Sequence, residues 1–427
     1  MRVKKGTVIF SIIHVLIYIL NVLIISPLQV LARVVARATS RQTDQTINVF
    51  GSPLAMSHFP FLKSYCARSY DAPAFNGHLS TILCGFRPRW PVPYTREFVD
   101  GPDGNPICLD WFLASTVTRE AKGIMIVFPG LASWSQTNYV QHYVWRAHRR
   151  GIHCCVINGR GLGDTPLKQP RLISATWTGD VHRAMSTALA RRSLELKFGH
   201  AAENVWGVGF SLGGVILSKF LAEEAENGRA LPPFDAAIVL NSPLDAGETS
   251  KKLLKVKSRL YQRNMVRNVM RYFTRHETIL RELPGPSHEA YHSDPLSFLK
   301  HLKNLEEFDH HINAPHNGFC SIAEYHAAAS VLTTLRCSRV PTLCVIAKDD
   351  PVVCDVSSER LKELANENNL VAFIKFPYGG HLGYFGNPIE VWNEVPSLME
   401  DFVCNAILSG QGHWHRKDSK HLVQTDE

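Results

Sequence analysis

Residues 205–216 read VWGVGFSLGGVI, in which an apolar run ends in a glycine-flanked serine and a helical pattern begins. The run Val205–Phe210 is typical of a buried strand, since both faces of a strand inside a parallel sheet meet apolar side chains. The junction has the form Gly-x-Ser-x-Gly, with Gly209, Ser211 and Gly213 at its defined positions. Between a strand and a helix, this form makes a strained turn that lifts the serine hydroxyl above the sheet, at the positive end of the helix dipole. The junction therefore predicts that Ser211 is a nucleophile.

Strands and helices alternate on both sides of this junction. Further runs typical of strands lie at 107–113, 124–128, 154–158, 237–240, 342–347 and 371–376, and helical patterns lie at 139–150, 177–197 and 390–408. This alternation predicts an α/β fold with a mostly parallel sheet flanked by helices. A dinucleotide-binding loop is the alternative interpretation of Gly207 and Gly209, but it needs an acidic residue at the end of the next strand, where the chain has Asn241.

The alternation predicts how the chain is divided. With 45% apolar and 20% charged residues, its composition is that of a globular protein. A helical segment without strands interrupts the late part of the sheet and indicates a cap over a site. The predicted divisions are a membrane anchor at 1–40, an irregular proline-rich extension at 41–93, the first part of the core at 94–244, the helical cap insertion at 245–335, the second part of the core at 336–408 and a polar tail at 409–427.

A nucleophilic serine needs a base, and the base needs a carboxylate that orients it. Folds with this serine turn place the three groups in the order Ser, Asp, His along the chain. The run at 342–347 leads into Asp349 and Asp350, and either carboxylate could serve. The last strand leads into His381, in a glycine-rich loop that could reach the serine.

Acyl transfer also requires donors for the negative charge that develops on the carbonyl oxygen. One donor is expected to be the backbone N–H of Leu212, directly after the nucleophile. The other is expected in the loop after the run at 124–128, at the N–H of Leu131.

Several further motifs make the chain resemble the YheT-like branch of the α/β-hydrolases, over roughly residues 75–405. This branch includes the animal abhydrolase-domain proteins one, two and three and the yeast medium-chain ester synthase/esterases. The matching motifs are Gly77-His78-Leu79-Ser80-Thr81, Tyr94-Thr95-Arg96-Glu97, Asp103-Gly104, Leu109-Asp110-Trp111, Asn158-Gly159-Arg160-Gly161, Asp180 and the three catalytic blocks at Gly209–Gly214, Asp349-Asp350-Pro351 and Gly379–Gly383.

The resemblance implies the α/β-hydrolase fold and hydrolysis of carboxylesters, acylglycerols or phospholipids with shorter acyl chains. By the spacing of the family, Asp350 takes the triad role. Some relatives transfer acyl groups to an alcohol, so an acyltransferase with the same triad is an alternative, and a non-catalytic membrane scaffold is another. Where the family has Gly-Leu-Thr-Gly-Ser, this chain places Trp134 in the oxyanion loop, which predicts a narrower pocket. No cofactor or metal is implied.

The N-terminus predicts contact with a membrane. No charged residue lies between Lys5 and Arg33, and Val8–Ile25 is almost wholly apolar, which is long enough to cross a hydrocarbon core. A cleaved signal peptide and a buried helix are the alternatives. The resemblance implies a single-pass type II protein, in the endoplasmic reticulum or another endomembrane.

A second basic feature lies in the predicted cap. No acidic residue occurs between Glu248 and Glu277, whereas an arginine recurs every four residues, at Arg259, Arg263, Arg267, Arg271 and Arg275. On a helix this spacing makes one ridge, which favours contact with anionic lipid headgroups. A solvated helix face or internal ion pairs are the alternatives. No nucleic-acid-binding motif occurs, so the basic net charge does not indicate such a partner.

Overall fold

The central strands form because their apolar runs bury both faces. The computed structural model describes residues 45–66, 68, 70, 76–114, 121–228, 234–286, 289–386, 389–392 and 396–410. Its strands are β1 (Asn48–Gly51), β2 (Thr95–Asp100), β3 (Pro106–Phe112), β4 (Ile124–Phe128), β5 (His153–Asn158), β6 (Val205–Phe210), β7 (Ala236–Leu240), β8 (Thr342–Ala347) and β9 (Val371–Phe376). Every residue of β4 to β9 is buried, as expected for strands covered by helices on both faces.

The nine strands form one sheet in the order β1-β9-β8-β7-β6-β4-β5-β3-β2. The six central strands are parallel to one another, whereas β1, β2 and β3 pair antiparallel to their neighbours. The chain runs from β4 to β5 on one side and then returns to β6 on the other side of β4. The loops at the carboxyl ends of β4 and β6 therefore run in opposite directions and leave a crevice between them. Ligands of open α/β sheets bind in a crevice of this kind.

Helices cover both faces of the sheet and fill the segment between β7 and β8. They are α1 (Pro53–His58), α2 (Gly77–Phe86), α3 (Asn138–Arg149), α4 (Gly179–Ser186), α5 (Arg191–Phe198), α6 (Leu212–Glu226), α7 (Ala246–Leu253), α8 (Arg259–Arg275), α9 (Glu277–Leu280), α10 (Glu289–Ser293), α11 (Pro295–His301), α12 (Leu305–Phe308), α13 (Ala314–His316), α14 (Ile322–Ala328), α15 (Val331–Leu335), α16 (Ser358–Glu367), α17 (Ile389–Trp392) and α18 (Leu398–Ser409). Short 3₁₀ helices lie at Pro60–Ser64, Gly199–Glu203 and Val256–Ser258, and a π-helical turn lies at Asp309–Asn313.

The structure differs from the sequence-based expectation in three places. Where a single helix was expected at 390–408, the described residues form two helices, α17 and α18. The single helix expected at 177–197 is two helices, α4 and α5, because the chain turns at Thr187 (φ −125°, ψ −100°). The extension expected to be irregular contains α1, α2 and the edge strand β1, which pairs with β9. Two of its prolines, Pro53 and Pro60, lie at helix starts, where proline is tolerated since the first N–H groups lack intrahelical partners.

The predicted membrane anchor at 1–40 lies outside the described residues. Of the predicted tail at 409–427, the structure describes only residues 409 and 410. Among the helices that the structure describes, none has both the length and the apolar character needed to cross a bilayer.

Close backbone packing at Gly213 generates a prediction about stability. A Cβ atom added there would lie 2.0 Å from the carbonyl oxygen of Phe128, which belongs to the backbone of β4 and cannot move aside cheaply. Gly213→Ala is expected to lower the free energy of unfolding by about 3 kcal/mol. Gly85 is the matched control, since it is an exposed residue of α2 with open space around its Cβ position.

Gly85→Ala is expected to stabilise the protein by about 0.5 kcal/mol, because alanine loses less backbone entropy than glycine in a helix. Urea unfolding of both variants measures the difference. Equal stability of the two variants would contradict the packing argument.

Candidate active site

Ser211 lies in a strained turn between β6 and α6. Its backbone has φ 51° and ψ −120°, a region that costs a non-glycine residue about 1–3 kcal/mol. The flanking glycines make the turn possible, because a side chain would not fit at either position. A Cβ atom at Gly209 would lie 2.5 Å from the Cα of Gly214, and one at Gly213 would lie 2.0 Å from the carbonyl oxygen of Phe128 in β4. The turn places the serine directly before the first residue of α6, as the Gly-x-Ser-x-Gly pattern predicts.

The structure brings Ser211, His381 and Asp350 into one hydrogen-bonded chain. The Nε2 atom of His381 lies 3.1 Å from Oγ of Ser211, and its Nδ1 atom lies 2.8 Å from Oδ2 of Asp350. Because the carboxylate only accepts hydrogen bonds, Nδ1 carries the proton and Nε2 is left to accept from the serine hydroxyl. This geometry is that of a nucleophile, a base and an orienting acid.

Asp350 is almost fully buried, with 4% of its surface exposed, and is surrounded by donors. Its Oδ1 accepts from the backbone N–H groups of Val352 and Val353, at 2.8 and 3.0 Å. Burial acts to raise the pKa of Asp350, but His381 and the donors outweigh it and hold that pKa below its usual value of 3.8. Ionised Asp350 therefore stabilises the fold at neutral pH, and this contribution is lost only as the pH falls below that usual value.

Asp349, the other candidate, has a different environment. Its Oδ1 accepts from the N–H of Gly380 at 2.8 Å, and its Oδ2 is buried without a hydrogen-bond partner in the described part of the chain. Burial raises the pKa of Asp349. The carboxylate that orients the histidine ring is thus that of Asp350, and Asp349 contacts the backbone of the histidine loop.

The loop after β4 approaches Ser211 closely. A Cβ atom at Gly130 would lie 3.2 Å from Cβ of Ser211, and the N–H of Gly130 donates to the hydroxyl of Tyr139 at 2.8 Å. Leu131, Ala132 and Leu212 line the same cavity as Ser211. Leu212 opens α6, so its N–H has no intrahelical partner. The two N–H groups predicted to hold an oxyanion are therefore on the two segments next to the nucleophile.

Buried polar groups hold that loop in place. Asp110 in β3 accepts from Oγ of Ser135 at 2.5 Å and from the side-chain amide of Asn158 at 2.8 Å, and Arg96 binds it with two donors. The N–H of Ser135 in turn donates to the amide oxygen of Asn158 at 2.8 Å. The Leu109-Asp110-Trp111 and Asn158-Gly159-Arg160-Gly161 motifs thus hold the loop after β4 in place through Asp110 and Asn158.

The histidine loop has supports that the sequence analysis missed. Asn241, at the end of β7, donates to Oδ2 of Asp350 at 2.8 Å and to the carbonyl oxygen of Gly380 at 3.0 Å, and it accepts from the hydroxyl of Tyr384. Thr81 in α2 accepts from the N–H of His381 at 2.8 Å. The sequence did contain a signal for the support at Thr81, namely the Gly77–Thr81 motif. The backbone of this motif also packs against Gly380.

A cavity of about 180 Å³ opens at Ser211. Its walls come from the segments that follow β4, β5, β6 and β8 and from the helical segment between β7 and β8. They are mainly apolar, with Val215, Val269 and Phe308 among them. Trp134 packs against Gly163 and does not line this cavity, contrary to the expectation that it narrows the pocket. Within the described residues, no group of three or more histidine, cysteine or acidic side chains could hold a metal ion.

Comparison with known proteins agrees with this geometry. Residues 125–395 match the model of the alpha/beta hydrolase family. The chain belongs to that family. The fold predicted from the sequence, a mostly parallel sheet flanked by helices, is thereby confirmed.

Relatives within the family support the YheT-like branch. Embryogenesis-associated protein EMB8 of Picea glauca is 28% identical over 85% of this chain and 74% of its own length. Monoacylglycerol lipase ABHD2 of Homo sapiens is 28% identical over 80% of this chain and 79% of its own length. YheT of Escherichia coli (strain K12) is 28% identical over 77% of this chain and 91% of its own length. The chain is thus an alpha/beta hydrolase of the esterase and lipase type, as its sequence predicted.

The different surroundings of the two aspartates predict different effects of mutation. Asp350→Asn is expected to lower kcat for a soluble ester about 10⁴-fold, because an amide that faces Nδ1 favours the wrong histidine tautomer. Asp349→Asn is expected to retain most activity, since its amide oxygen can still accept from Gly380. Steady-state kinetics on the two variants compares them directly, and a larger loss in Asp349→Asn would reverse the assignment.

Proposed function

We propose that this protein is a serine hydrolase that cleaves carboxylester bonds of lipids, such as acylglycerols or phospholipids with short or medium acyl chains. The observation that carries the proposal is the hydrogen-bonded chain of Ser211, His381 and Asp350 at the mouth of an apolar cavity. Relatives named monoacylglycerol lipases, in Homo sapiens and Saccharomyces cerevisiae, support the lipid class of the substrate.

In the proposed mechanism, His381 takes the proton of Ser211 as the oxygen attacks the ester carbonyl. The N–H groups of Leu131 and Leu212 stabilise the oxyanion, and one such donor is worth about 3–4 kcal/mol in the transition state. The protonated His381 then gives its proton to the leaving alcohol, and the acyl-enzyme remains. Water attacks next, with His381 as its base, and releases the acid and Ser211. Asp350 holds the ring in one tautomer and stabilises its charged form.

Labelling with a fluorophosphonate probe tests the nucleophile. The full chain in detergent is expected to react at Ser211, because the probe mimics the tetrahedral intermediate of acyl transfer. Ser211→Ala should abolish labelling and His381→Ala should slow it sharply, whereas Ser186→Ala, a change of an exposed serine in α4, should leave it intact. A folded wild-type protein that does not label would refute the hydrolase proposal and favour the non-catalytic scaffold.

We further propose that the protein acts at a membrane. The apolar segment at 8–25 supports a single-pass anchor in the endoplasmic reticulum or another endomembrane, with the type II orientation of the animal relatives. A second contact with the membrane is proposed at the cap.

This second contact is a cationic patch around three exposed apolar side chains, Leu254, Val256 and Leu260, which are 45%, 73% and 61% exposed. The exposed cations of the patch are Lys255, Lys257, Arg259, Arg263, Arg267 and Arg271. Apolar residues surrounded by cations suit the boundary between anionic headgroups and acyl chains.

The charges of the patch favour a lipid partner over internal pairing. Arg275, which the sequence analysis placed on the same ridge, forms an ion pair with Asp164, but Arg259, Arg263, Arg267 and Arg271 form none with the carboxylates that the structure describes. A surface depression lined by Arg259 and Arg263 shares Leu253 and Gln262 with the catalytic cavity. A lipid at the patch would thus be next to the cavity wall.

Neutralising part of the patch should weaken activity on anionic membranes. Each cation near such a surface contributes about 1 kcal/mol to binding. The double substitution Arg263→Gln with Arg267→Gln should therefore reduce the increase in hydrolysis rate that phosphatidylserine causes, by about fivefold for each charge removed. The measurement compares hydrolysis of an ester dissolved in phosphatidylcholine vesicles with and without phosphatidylserine. Arg192→Gln with Lys362→Gln, two exposed cations outside the cap, is the matched control. An equal response of both double variants would refute the patch as a lipid contact.

A further inference from the structure

The loop after β4 is bound by a tyrosine that the proposed mechanism does not use. Tyr139 lies in the first turn of α3, and its hydroxyl accepts from the backbone N–H of Gly130 at 2.8 Å, nine residues earlier in the chain. Tyr139 is 8% exposed, and burial raises the pKa of its hydroxyl to about 12. The hydroxyl is therefore neutral at neutral pH, so it takes part in the site as a hydrogen-bonding group and not as a base.

Gly130 is also the first residue of a tight turn. Its carbonyl oxygen accepts from the N–H of Ser133 at 3.0 Å, which is the hydrogen bond of a four-residue β-turn. The third residue of this turn, Ala132, has φ 54°, the positive value that a type II turn requires at this position. Both hydrogen-bonding groups of Gly130 are thus held, the carbonyl by the turn and the N–H by Tyr139.

The turn sets the direction of the N–H of Leu131, its second residue. The carbonyl group of Gly130 and the N–H of Leu131 belong to one planar trans peptide unit, so they point in opposite directions. Since the carbonyl points into the turn, the N–H points out of it. This N–H makes no hydrogen bond among the described residues, and Leu131 lines the cavity that opens at Ser211. It is therefore free to bind a substrate atom.

A glycine at position 130 is needed for space but leaves the backbone loose. A Cβ atom at Gly130 would lie 3.2 Å from Cβ of Ser211, closer than ordinary van der Waals contact, so a larger residue would press on the nucleophile. Glycine, however, has more backbone freedom than any other residue, and a turn that begins at glycine can swing about it. The hydrogen bond from Gly130 to Tyr139 restricts this freedom, because the tyrosine belongs to a helix packed on the sheet.

A second tyrosine of the same helix shows that packing does not require the hydroxyl of Tyr139. The rings of Tyr139 and Tyr143 both pack against Phe210, the residue before the nucleophile, with ring centres 5.4 and 4.7 Å from that of Phe210. Tyr143 is 3% exposed, and its hydroxyl has no hydrogen-bond partner among the described residues. The two hydroxyls therefore differ in one respect that concerns the site, which is the bond from Tyr139 to the loop after β4.

We propose that Tyr139 is a positioning residue, which holds the turn at Gly130 so that the N–H of Leu131 stays aligned with the oxyanion of the transition state. The proposal rests on the esterase function proposed above and adds a residue to its machinery. Oxyanion donors act most strongly when they are aligned before the charge develops. Loss of this alignment lowers kcat, whereas KM for an uncharged ester changes little, because the interaction is made mainly in the transition state.

Tyr139→Phe tests the proposal, with Tyr143→Phe as its matched control. Both substitutions remove one buried hydroxyl from α3 and keep the ring against Phe210. With the full chain in detergent and p-nitrophenyl butyrate as substrate, Tyr139→Phe is expected to lower kcat about 20-fold, which is less than the loss of a whole oxyanion donor. KM should stay within about twofold. Tyr143→Phe should retain both values.

A second substitution tests whether Tyr139 acts through the N–H of Leu131. Leu131→Pro deletes this N–H group, and proline suits the second position of a type II turn. It is expected to lower kcat at least about 100-fold, as for the loss of one oxyanion donor. Tyr139→Phe should then cause almost no further loss, since no donor remains to be aligned. Leu131→Ala is the control background, because it shortens the side chain and keeps the N–H, so Tyr139→Phe should have its full effect there.

The end point of fluorophosphonate labelling gives the concentration of active enzyme in each variant and shows that the variant is folded. A fall in kcat that occurs in Tyr139→Phe, is absent in Tyr143→Phe and disappears in the Leu131→Pro background supports the proposal. Equal kcat values of Tyr139→Phe and Tyr143→Phe would mean that the hydroxyl only satisfies a buried N–H, and this result overturns the proposal.

Losses in kcat that multiply when Tyr139→Phe and Leu131→Pro are combined would also overturn it, because Tyr139 would then act elsewhere. Either result leaves the esterase function intact. Absence of both labelling and hydrolysis in the folded wild-type protein would instead refute the esterase function, and the proposal with it.

Discussion

The backbone of the serine turn touches the backbone of the strand beside it, and this contact sets the geometry of the site. Gly213 lies against the carbonyl oxygen of Phe128, and Gly209 lies against Gly214 across the turn. Because neither glycine has a side chain, the turn can close tightly. It holds Ser211 in a backbone conformation that costs about 1–3 kcal/mol. The strain is sustained because β4, β6 and β7 are buried on both faces and cannot shift.

Two buried carboxylates hold the loops that surround this turn. Asp110 binds Ser135 of the loop after β4 and also Asn158, which contacts that loop, whereas Asp350 binds His381 of the histidine loop and also Asn241, which contacts that loop. A buried carboxylate without partners would be strongly unfavourable, whereas each of these is surrounded by donors that hold its pKa below the usual value, despite the opposing effect of burial. The same bonds that compensate for burial of the charge also position the loops, which is how stability and site geometry are coupled.

The helical segment between β7 and β8 determines what the site can accept. Its helix α8 is amphipathic: Val269, Tyr272 and Phe273 are buried, and the cavity is lined by all three, whereas the arginines of the cationic patch are exposed on the opposite side. Further along, the π-helical turn brings polar side chains into the same cavity. One segment thus provides an apolar wall of the cavity on one side and a basic outer surface on the other.

Much of the site could be predicted from the sequence, because its parts are local. A strand, the Gly-x-Ser-x-Gly turn and a helix are contiguous, so Ser211 and Leu212 follow from the order of residues, and His381 follows from a glycine loop after the last strand. The choice between Asp349 and Asp350 required the resemblance to a family, since adjacent residues share the same local pattern. The physical reason lies in the tertiary structure, since which carboxylate faces His381 depends on how the loop after β8 turns against Asn241, which follows β7. The supports at Thr81 and Asn158 were likewise decided by tertiary contacts, since the residues that meet there are far apart in the chain and no periodic pattern in the sequence records such contacts.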